Sequence, residues 1–246
     1  MARGSRLDVV LVDRGLAPSR ERARALILAG QVMVDGRVIS KAGVPVKAEA
    51  RVELSSPDHP YVGRGGVKLA GALDAFGIDP TGRRALDVGA STGGFTDVLL
   101  QRGAANVIAL DVGRGQLDWR LRTDPRVIVR EGVNARALTG TDVPHLVSLA
   151  TIDVAFISLR HILPALPPFL DPGADVVALV KPQFEAGRNE VGKRGIVSDP
   201  VVHEAVIARV TDAAAACGLA RANMAPSPIA GATGNQEFFL HLKFEV

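Results

Sequence analysis

The chain has 246 residues, 47% of them hydrophobic, and a formal net charge of +3 at pH 7, which suffices for a large α/β domain with a packed core and a small accessory module. A single cysteine excludes an intrachain disulfide and a cysteine-based metal cluster. Neither a signal peptide nor an apolar run of the roughly 20 residues that span a membrane is present, so we expect a cytoplasmic protein.

The first 54 residues carry the whole basic surplus, with ten Lys or Arg against six Asp or Glu. Within them we predict a short helix over 7–14, a second helix capped by Ser19 and ending at Gly30, and a hairpin that turns at Asp35-Gly36. Two short helices and a small sheet therefore fit into this segment. Its charge would suit a polyanion.

The segments 5–8, 19–23 and 30–36 carry a resemblance. Their sequences, SRLD, SRERA and GQVMVDG, occur in this order and resemble the small RNA-binding domain shared by a ribosomal protein, pseudouridine synthases and some tRNA synthetases. By charge pattern alone, the basic face of the second helix either grips phosphates or is an ordinary solvated surface. The resemblance implies contacts with structured RNA for Arg6, Arg20 and Arg24.

Residues 55–60 are polar and include two prolines, so they predict a linker. We divide the chain into an RNA-binding domain over 1–54, a linker over 55–61 and a larger domain over 62–246. From residue 85 onward, apolar strand-like runs alternate with helical stretches, which favours a parallel, Rossmann-like α/β sheet covered by helices on both faces. The predicted strands are 85–88, 107–110, 127–129, 146–152, 176–180 and 238–244.

A loop of small residues, 87–96, lies between the first strand of this sheet and a helix, where doubly wound folds bind nucleotide-like ligands. Because Ser91 stands where a dinucleotide fingerprint has its second glycine, that fingerprint fails. The pattern D-x-G-x-x-x-G-G favours S-adenosylmethionine instead, and Asp111 is placed to accept hydrogen bonds from ribose hydroxyls. The expected cofactor contacts are Asp87, Gly89, Ala90, Ser91, Thr92, Gly93, Phe95, Asp111, Val112 and Asn134.

Four charged residues form the candidate catalytic set. Asp153 and Lys181 end two strands, so both are expected at the carboxyl edge of the sheet, beside the cofactor loop. Glu237 opens the last strand and lies at that same edge if this strand runs opposite to the others. Lys68 lies in the first turn of a helix predicted over 67–76, where a cation opposes the helix dipole at a cost of about 0.3–1 kcal/mol. A local rule broken without local benefit is typical of functional sites.

The order Lys, Asp, Lys, Glu on these elements resembles the catalytic tetrad of the RNA ribose 2′-O-methyltransferases related to FtsJ. Further motifs narrow the resemblance to the TlyA-type ribosomal RNA cytidine 2′-O-methyltransferases, historically named haemolysins. These motifs cover 63–69, 87–96, 156–159, 181–185 and 234–238. The resemblance implies S-adenosylmethionine-dependent ribose methylation of ribosomal RNA, free or in ribosomal subunits, with Lys68, Asp153, Lys181 and Glu237 as catalytic residues.

Two roles for Lys181 stay open: a neutral amine that removes the hydroxyl proton, or an ammonium that orients the hydroxyl oxygen. Neither role needs a metal, and the histidines show no metal-ligand spacing. We therefore interpret the histidines, together with Ser158, as structural. They are His59, His145, His161, His203 and His241.

The glycine-rich loop 187–195 follows Lys181 and carries Arg188 and Lys193, which with Arg64 are further expected RNA contacts. It could equally be an ordinary surface loop. Aromatic residues make up only 4% of the chain, so phosphate contacts and RNA shape should outweigh base stacking.

Rival functions remain. One is a non-catalytic RNA-binding assembly factor, another a membrane-acting haemolysin, and a nucleotide-dependent oxidoreductase is a weaker third. We expect neither stable membrane association nor an obligate protein partner.

Overall fold

The computed structural model describes residues 4–28, 30–54, 59–187 and 189–245, without the side chain of Lys193. The chain divides into two compact units, residues 1–60 and 61–246. Part of the expected linker, residues 55–58, lies outside the described residues, and so do Arg188 and the side chain of Lys193.

Unit one is a small α+β unit. Its elements are β1 (Ser5–Arg6), α1 (Leu7–Asp13), α2 (Arg20–Leu28), β2 (Val32–Val34), β3 (Arg37–Val38), β4 (Pro45–Val46) and β5 (Val52–Leu54). Strand β2 pairs with β3 and β5, and β1 pairs with β4. The predicted hairpin is confirmed, because Asp35 and Gly36 both have positive φ, as a two-residue turn of type I′ requires. Ser19 caps α2 by accepting a hydrogen bond from the Arg22 backbone N–H.

Unit two contains the larger sheet. Its strands are β6 (Arg84–Val88), β7 (Asn106–Asp111), β8 (Val127–Glu131), β9 (Val147–Ile152), β10 (Leu170–Val180), β11 (Leu219–Pro226) and β12 (Phe238–Phe244). Its helices are α3 (Arg64–Phe76), α4 (Gly94–Gln101), α5 (Trp119–Arg122), α6 (Pro182–Glu185) and α7 (Pro200–Ala215), with short 3-10 turns at Leu159–His161, Leu163–Ala165, Pro167–Phe169 and Lys193–Gly195.

Within the described residues, seven strands form one sheet in the order β11-β12-β10-β9-β6-β7-β8. Strands β6 to β10 are parallel, whereas β12 runs antiparallel to both β10 and β11. Successive strand residues point to opposite faces. Accordingly, Leu86 belongs to one apolar core cluster and Ala85 to the other, so the sheet is covered on both faces. The predicted α/β, Rossmann-like class is confirmed.

Three elements differ from the prediction. Helix α3 begins at Arg64 and not near Val67, so Lys68 is not in the first turn, and the dipole argument for it was wrong. Strand β10 extends back to Leu170 across a break in register at Pro172-Gly173, which the sequence marks as a turn. Strand β11 was missed because it is a largely exposed edge strand without clear alternation.

Candidate active site

The ends of three strands bring together three of the predicted catalytic residues. Asp153 follows β9, Lys181 follows β10 and Glu237 immediately precedes β12. In the antiparallel pairing of β10 with β12, Val180 is the partner of Phe238. Lys181 and Glu237 therefore occupy the next positions along the same pair of strands, at the carboxyl edge of the parallel sheet.

The four charged side chains form two ion pairs. Lys181 Nζ lies 2.5 Å from Asp153 Oδ1, and Lys68 Nζ donates a hydrogen bond to Glu237 Oε2, also at 2.5 Å. The side chains of Lys68 and Glu237 are only 11% and 3% exposed. Positive and negative charges thus cancel pairwise in a largely buried setting, where an unpaired charge would be costly.

Close helix packing explains how Lys68 reaches this edge. A Cβ added to Gly94, at the start of α4, would lie 2.9 Å from the backbone nitrogen of Gly66 in α3. Only glycine permits this approach. On the same helix, a Cβ at Gly65 would lie 3.9 Å from Asp153 Oδ2, so the first turns of α3 lie beside the strand ends that carry the other charges.

A cavity of about 670 Å³ opens next to Asp153. Its volume is in the range of small-molecule sites. The carboxylate of Asp111 is fixed at its wall, because it accepts hydrogen bonds from the backbone N–H groups of Ser91, at 2.8 Å, and Gly113, at 2.6 Å. The predicted residues that line the cavity are Gly89, Ser91, Asp111, Val112, Asn134 and Asp153.

The other expected cofactor contacts, Asp87, Ala90, Thr92, Gly93 and Phe95, are not among the residues that line this cavity. Phe95 is buried against Phe239, with ring centroids 6.1 Å apart. The expected contact of Phe95 with the cofactor therefore stays a prediction.

Asp87 is fully buried beneath the site. Its carboxylate accepts hydrogen bonds from the hydroxyls of Thr96, at 2.7 Å, and Thr151, at 3.1 Å. Burial raises the pKa of Asp87 to about 7, the two hydroxyl bonds oppose this rise, and the charge of Asp153 adds to it. Asp87 therefore supports the strand ends from inside and does not face the cavity.

Sequence reasoning missed several wall residues. Phe156 is 91% exposed and has a φ of 64°, a conformation that non-glycine residues rarely adopt, and its ring contacts Phe184. His161 also lines the cavity, so treating it as merely structural missed its position. Gln116 and Arg136 complete the polar wall. Among these residues, only Phe156 could have been predicted to line the cavity, because it lies three residues after Asp153 in the sequence.

A hydrogen-bond link joins the loop after Asp153 to the helix after Lys181. Buried Glu185 of α6 accepts a hydrogen bond from the Ser158 hydroxyl, at 2.5 Å, and another from the Leu159 backbone N–H, at 2.6 Å. Burial raises the pKa of Glu185, and these two bonds oppose the rise. This link joins the segment after Asp153 to α6, which directly follows Lys181, and so connects the two sides of one ion pair of the site.

In unit one, the three predicted RNA-binding arginines converge on one acid. Arg6, Arg20 and Arg24 all form ion pairs with Asp8, whose side chain is fully buried. We call these four residues the Asp8 cluster. Of the expected RNA contacts in unit two, exposed Arg64 donates a hydrogen bond to the Ala230 carbonyl oxygen.

Comparison with protein families explains this arrangement. Residues 61–244 match the model of the FtsJ-like methyltransferase family. The chain belongs to this family. Residues 5–52 match the S4 domain, so this FtsJ-like methyltransferase carries an S4 domain before its catalytic fold.

Similar proteins support the same grouping. The FtsJ-like methyltransferase is 48% identical to the 16S/23S rRNA (cytidine-2′-O)-methyltransferase TlyA of Mycobacterium tuberculosis, over 99% of this chain and 91% of that protein. It is 44% identical, with a TM-score of 0.78, to a solved Streptococcus thermophilus protein provisionally described as a hemolysin, over 100% of this chain and 90% of the other. An S-adenosylmethionine-dependent methyltransferase from Mesorhizobium loti, 16% identical, shares the fold over 74% of this chain and its own full length, with a TM-score of 0.53.

Proposed function

We propose that this enzyme transfers a methyl group from S-adenosylmethionine to the ribose 2′-hydroxyl of a cytidine in ribosomal RNA. The observation that carries the proposal is the pair of ion pairs, Lys181 with Asp153 and Lys68 with Glu237, at the sheet edge beside the cavity. The TlyA relative, whose name specifies cytidine 2′-O-methylation, supports the choice of nucleotide.

The cavity wall fits a nucleoside-like methyl donor. Asp111 has carboxylate oxygens that can accept ribose hydroxyls, and Val112, Val133 and Ile157 supply apolar wall beside it. Asn134 adds an amide that can both donate and accept. When bound, S-adenosylmethionine supplies a methyl group on a positively charged sulfur. The residues of the chain then have to place the nucleophile and exclude water.

Lys181 is the residue we assign to the 2′-hydroxyl. Its ammonium, held by Asp153 at 2.5 Å, can donate a hydrogen bond to the hydroxyl oxygen and leave one of its lone pairs directed at the methyl group. The oxygen becomes strongly acidic once it forms the new C–O bond, so its proton can leave late, to water. Among the two roles considered for Lys181, this pairing favours the orienting ammonium. Positioning of this kind contributes several kcal/mol to catalysis.

The Lys68–Glu237 pair completes the site. Lys68 comes from α3, and Glu237 immediately precedes β12. Because both side chains are almost fully buried, they hold fixed charges close to the reacting groups without reorganisation of water. We assign this pair to holding the ribose.

We assign RNA binding to the S4 domain through Arg6, Arg20 and Arg24. On the methyltransferase fold we assign it to Arg64, Arg188 and Lys193. Phe156 adds an exposed aromatic ring beside Asp153, on which an unstacked base can stack. From the low aromatic content of the chain, we expected base stacking to matter less. Cytoplasmic ribosomes or their precursors are the partners that this proposal requires. Within the described residues, no helix is long and apolar enough to cross a membrane.

The test is methyl transfer from S-adenosylmethionine with a labelled methyl group to purified ribosomal subunits. Wild type should label the RNA, and Lys181→Ala should reduce the label by at least about a hundredfold, as loss of a positioning and hydrogen-bonding group does. Lys243→Ala is the matched control, because Lys243 pairs with Asp175 at the opposite end of β12. It should retain activity.

Alkaline hydrolysis of the product locates the methyl group. A 2′-O-methyl ribose blocks cleavage of the adjoining phosphodiester, so the label should persist in an alkali-resistant dinucleotide whose 5′ residue is cytidine. Label on a base, or at another nucleotide, would contradict the respective part of the proposal. RNA binding without any transfer would support the assembly-factor alternative instead.

A further inference from the structure

The Asp8 cluster gives an acidic residue a role in binding a polyanion. We infer that Asp8 is a positioning residue, which holds Arg6, Arg20 and Arg24 as one preformed site for the phosphodiester backbone of the RNA substrate. This inference rests on the RNA substrate proposed above. It concerns how the site is built and not only which arginines belong to it.

Asp8 lies in the first turn of α1 and is inaccessible to solvent. Its carboxylate accepts hydrogen bonds from Arg6 at 2.9 and 3.2 Å, from Arg20 at 3.1 Å and from Arg24 at 3.2 Å. The bond from Arg6 has the largest effect and holds the pKa of this carboxyl well below its usual range, with burial opposing it and Arg20 and Arg24 adding to it. Asp8 is therefore ionised at neutral pH.

Three arginines are more than this carboxylate needs. One guanidinium with two parallel hydrogen bonds is enough to satisfy a carboxylate, yet the Asp8 cluster keeps a net charge of +2. The side chains of Arg6, Arg20 and Arg24 are each just over half exposed, at 51%, 53% and 53%. Each guanidinium has five N–H donors, and Asp8 accepts only four bonds from all three. Among the residues that the structure describes, these three side chains form no other hydrogen bond, so their remaining donors are available to a ligand.

The carboxylate counteracts two costs that would otherwise weaken binding. Three guanidinium groups close together repel one another, and each arginine side chain loses rotamer entropy when it is fixed in one position. If binding of a phosphate had to bring three separate arginines together, both costs would reduce the binding free energy. In a preformed site, these costs arise during folding and no longer weaken binding. Asp8 thus lowers the net charge of the site by one unit, but it holds the three arginine side chains in fixed positions.

The geometry selects phosphodiesters as the ligand class. Guanidinium groups match the paired oxygens of phosphate in a fork-to-fork arrangement. A net charge of +2 suits two neighbouring phosphates, which are close together in structured RNA. The arginines come from the end of β1 and from α2, regular elements that hold a site more precisely than loops do.

The Asp8→Asn variant distinguishes two roles for Asp8, a mere counter-charge and a positioning residue, because they predict opposite changes in RNA affinity. If Asp8 is only a counter-charge, its neutralisation adds positive charge and tightens RNA binding. If Asp8 is the positioning residue, the full-length variant should bind purified ribosomal subunits about tenfold more weakly in a cosedimentation assay, the loss expected when charge-assisted contacts lose their geometry. In methyl transfer, KM for subunits should rise while kcat stays near the wild-type value.

Asp13→Asn is the matched control, since Asp13 is exposed on the same helix and its change alters the net charge equally. It should bind subunits as tightly as wild type or more tightly. If Asp8→Asn behaves like Asp13→Asn, the inference is overturned while the proposed function stands. If wild type transfers no methyl group to RNA, the proposed function itself fails, whatever the Asp8 variant does.

A second variant covers the case in which Asp8→Asn unfolds unit one, which a change in its circular dichroism would reveal. Arg20→Lys keeps the charge and the folded cluster but removes the planar fork. It should raise KM for subunits several-fold at unchanged kcat, and Asp8→Glu should recover part of the affinity. Wild-type KM in Arg20→Lys would contradict a preformed site.

Discussion

Glu185 of α6, the helix that follows Lys181, accepts a hydrogen bond from Ser158 in the segment that follows Asp153. The Leu159 backbone N–H donates to the same buried carboxylate, so one side chain bonds twice to that segment. We expect the Lys181–Asp153 ion pair to depend on this link.

We therefore predict that Glu185→Ala lowers kcat by about ten- to a hundredfold, because small displacements of positioning groups cost this much. Glu185→Gln keeps an acceptor for Leu159 and should retain more activity, as should Ser158→Ala, which removes only one of the two bonds. Steady-state measurement of methyl transfer gives kcat for each variant and thus ranks the three variants. Equal activity in all three variants would show that the link does not position the site.

Gly89 lies at the close approach of the cofactor loop to the strand end that carries Asp153. Its φ is +88°, and an added Cβ would collide with the carbonyl oxygen of Asp153. We predict that Gly89→Ala impairs both cofactor binding and turnover. Gly82→Ala is the control, because Gly82 has a similar φ of +70° but open space around it.

Binding of S-adenosylmethionine can be followed by calorimetry, with thermal unfolding as a check on stability. Gly82→Ala should cost some stability, through backbone strain alone, and leave the affinity for the cofactor intact. If both alanine variants bind S-adenosylmethionine as tightly as wild type, the collision with Asp153 does not affect cofactor binding.

Lys68 and Glu237 form a nearly buried pair, and breaking it from one side leaves an uncompensated charge. Glu237→Gln should destabilise the protein by about 3–5 kcal/mol, measured by urea unfolding. The double variant Lys68→Met/Glu237→Leu should recover most of that stability, because apolar side chains of similar volume replace the pair. It should nevertheless remain inactive.

The comparison pair is Arg84 with Asp171, 3.5 Å apart and substantially exposed. Asp171→Asn should cost less than about 1 kcal/mol, as exposed pairs do. An active double variant at the Lys68–Glu237 pair would remove these two residues from the catalytic set and leave them a structural role only.

Asp87 should make stability depend on pH near neutrality. Its folded-state pKa of about 7 lies above the ordinary value of 3.8, so its contribution is fully present below about pH 4 and is lost as pH rises through 7. The loss amounts to a few kcal/mol, since one pKa unit corresponds to about 1.4 kcal/mol.

Asp87→Asn stays neutral at every pH and mimics the protonated carboxyl. Between pH 5 and pH 8, thermal unfolding should therefore show a smaller fall in stability for this variant than for wild type. Glu185, whose pKa is also raised, contributes the same slope to both proteins. Asp212→Asn, at an exposed position on α7, should keep the wild-type slope.

Much of the fold was predictable because its signals are local. Alternating apolar runs predicted six of the strands in unit two, and the Asp35-Gly36 turn predicted the hairpin of unit one, since φ above zero at both positions favours such residues. Edge strand β11 escaped because an exposed edge imposes little pattern on its sequence. The start of α3 was misplaced because its glycines, which indicate a loop locally, serve helix packing.

The sequence by itself determined that Asp153 and Lys181 follow strands of one parallel sheet and therefore share its carboxyl edge, because apolar runs alternate with helical stretches along the chain. The antiparallel direction of β12, which brings Glu237 to the same edge, came from the tertiary structure. Only the tertiary structure decided which charges pair, that Asp87 and Phe95 are buried, and that Arg6, Arg20 and Arg24 all contact Asp8. Pairing and burial depend on distances between residues far apart in the chain, and no local pattern encodes those distances.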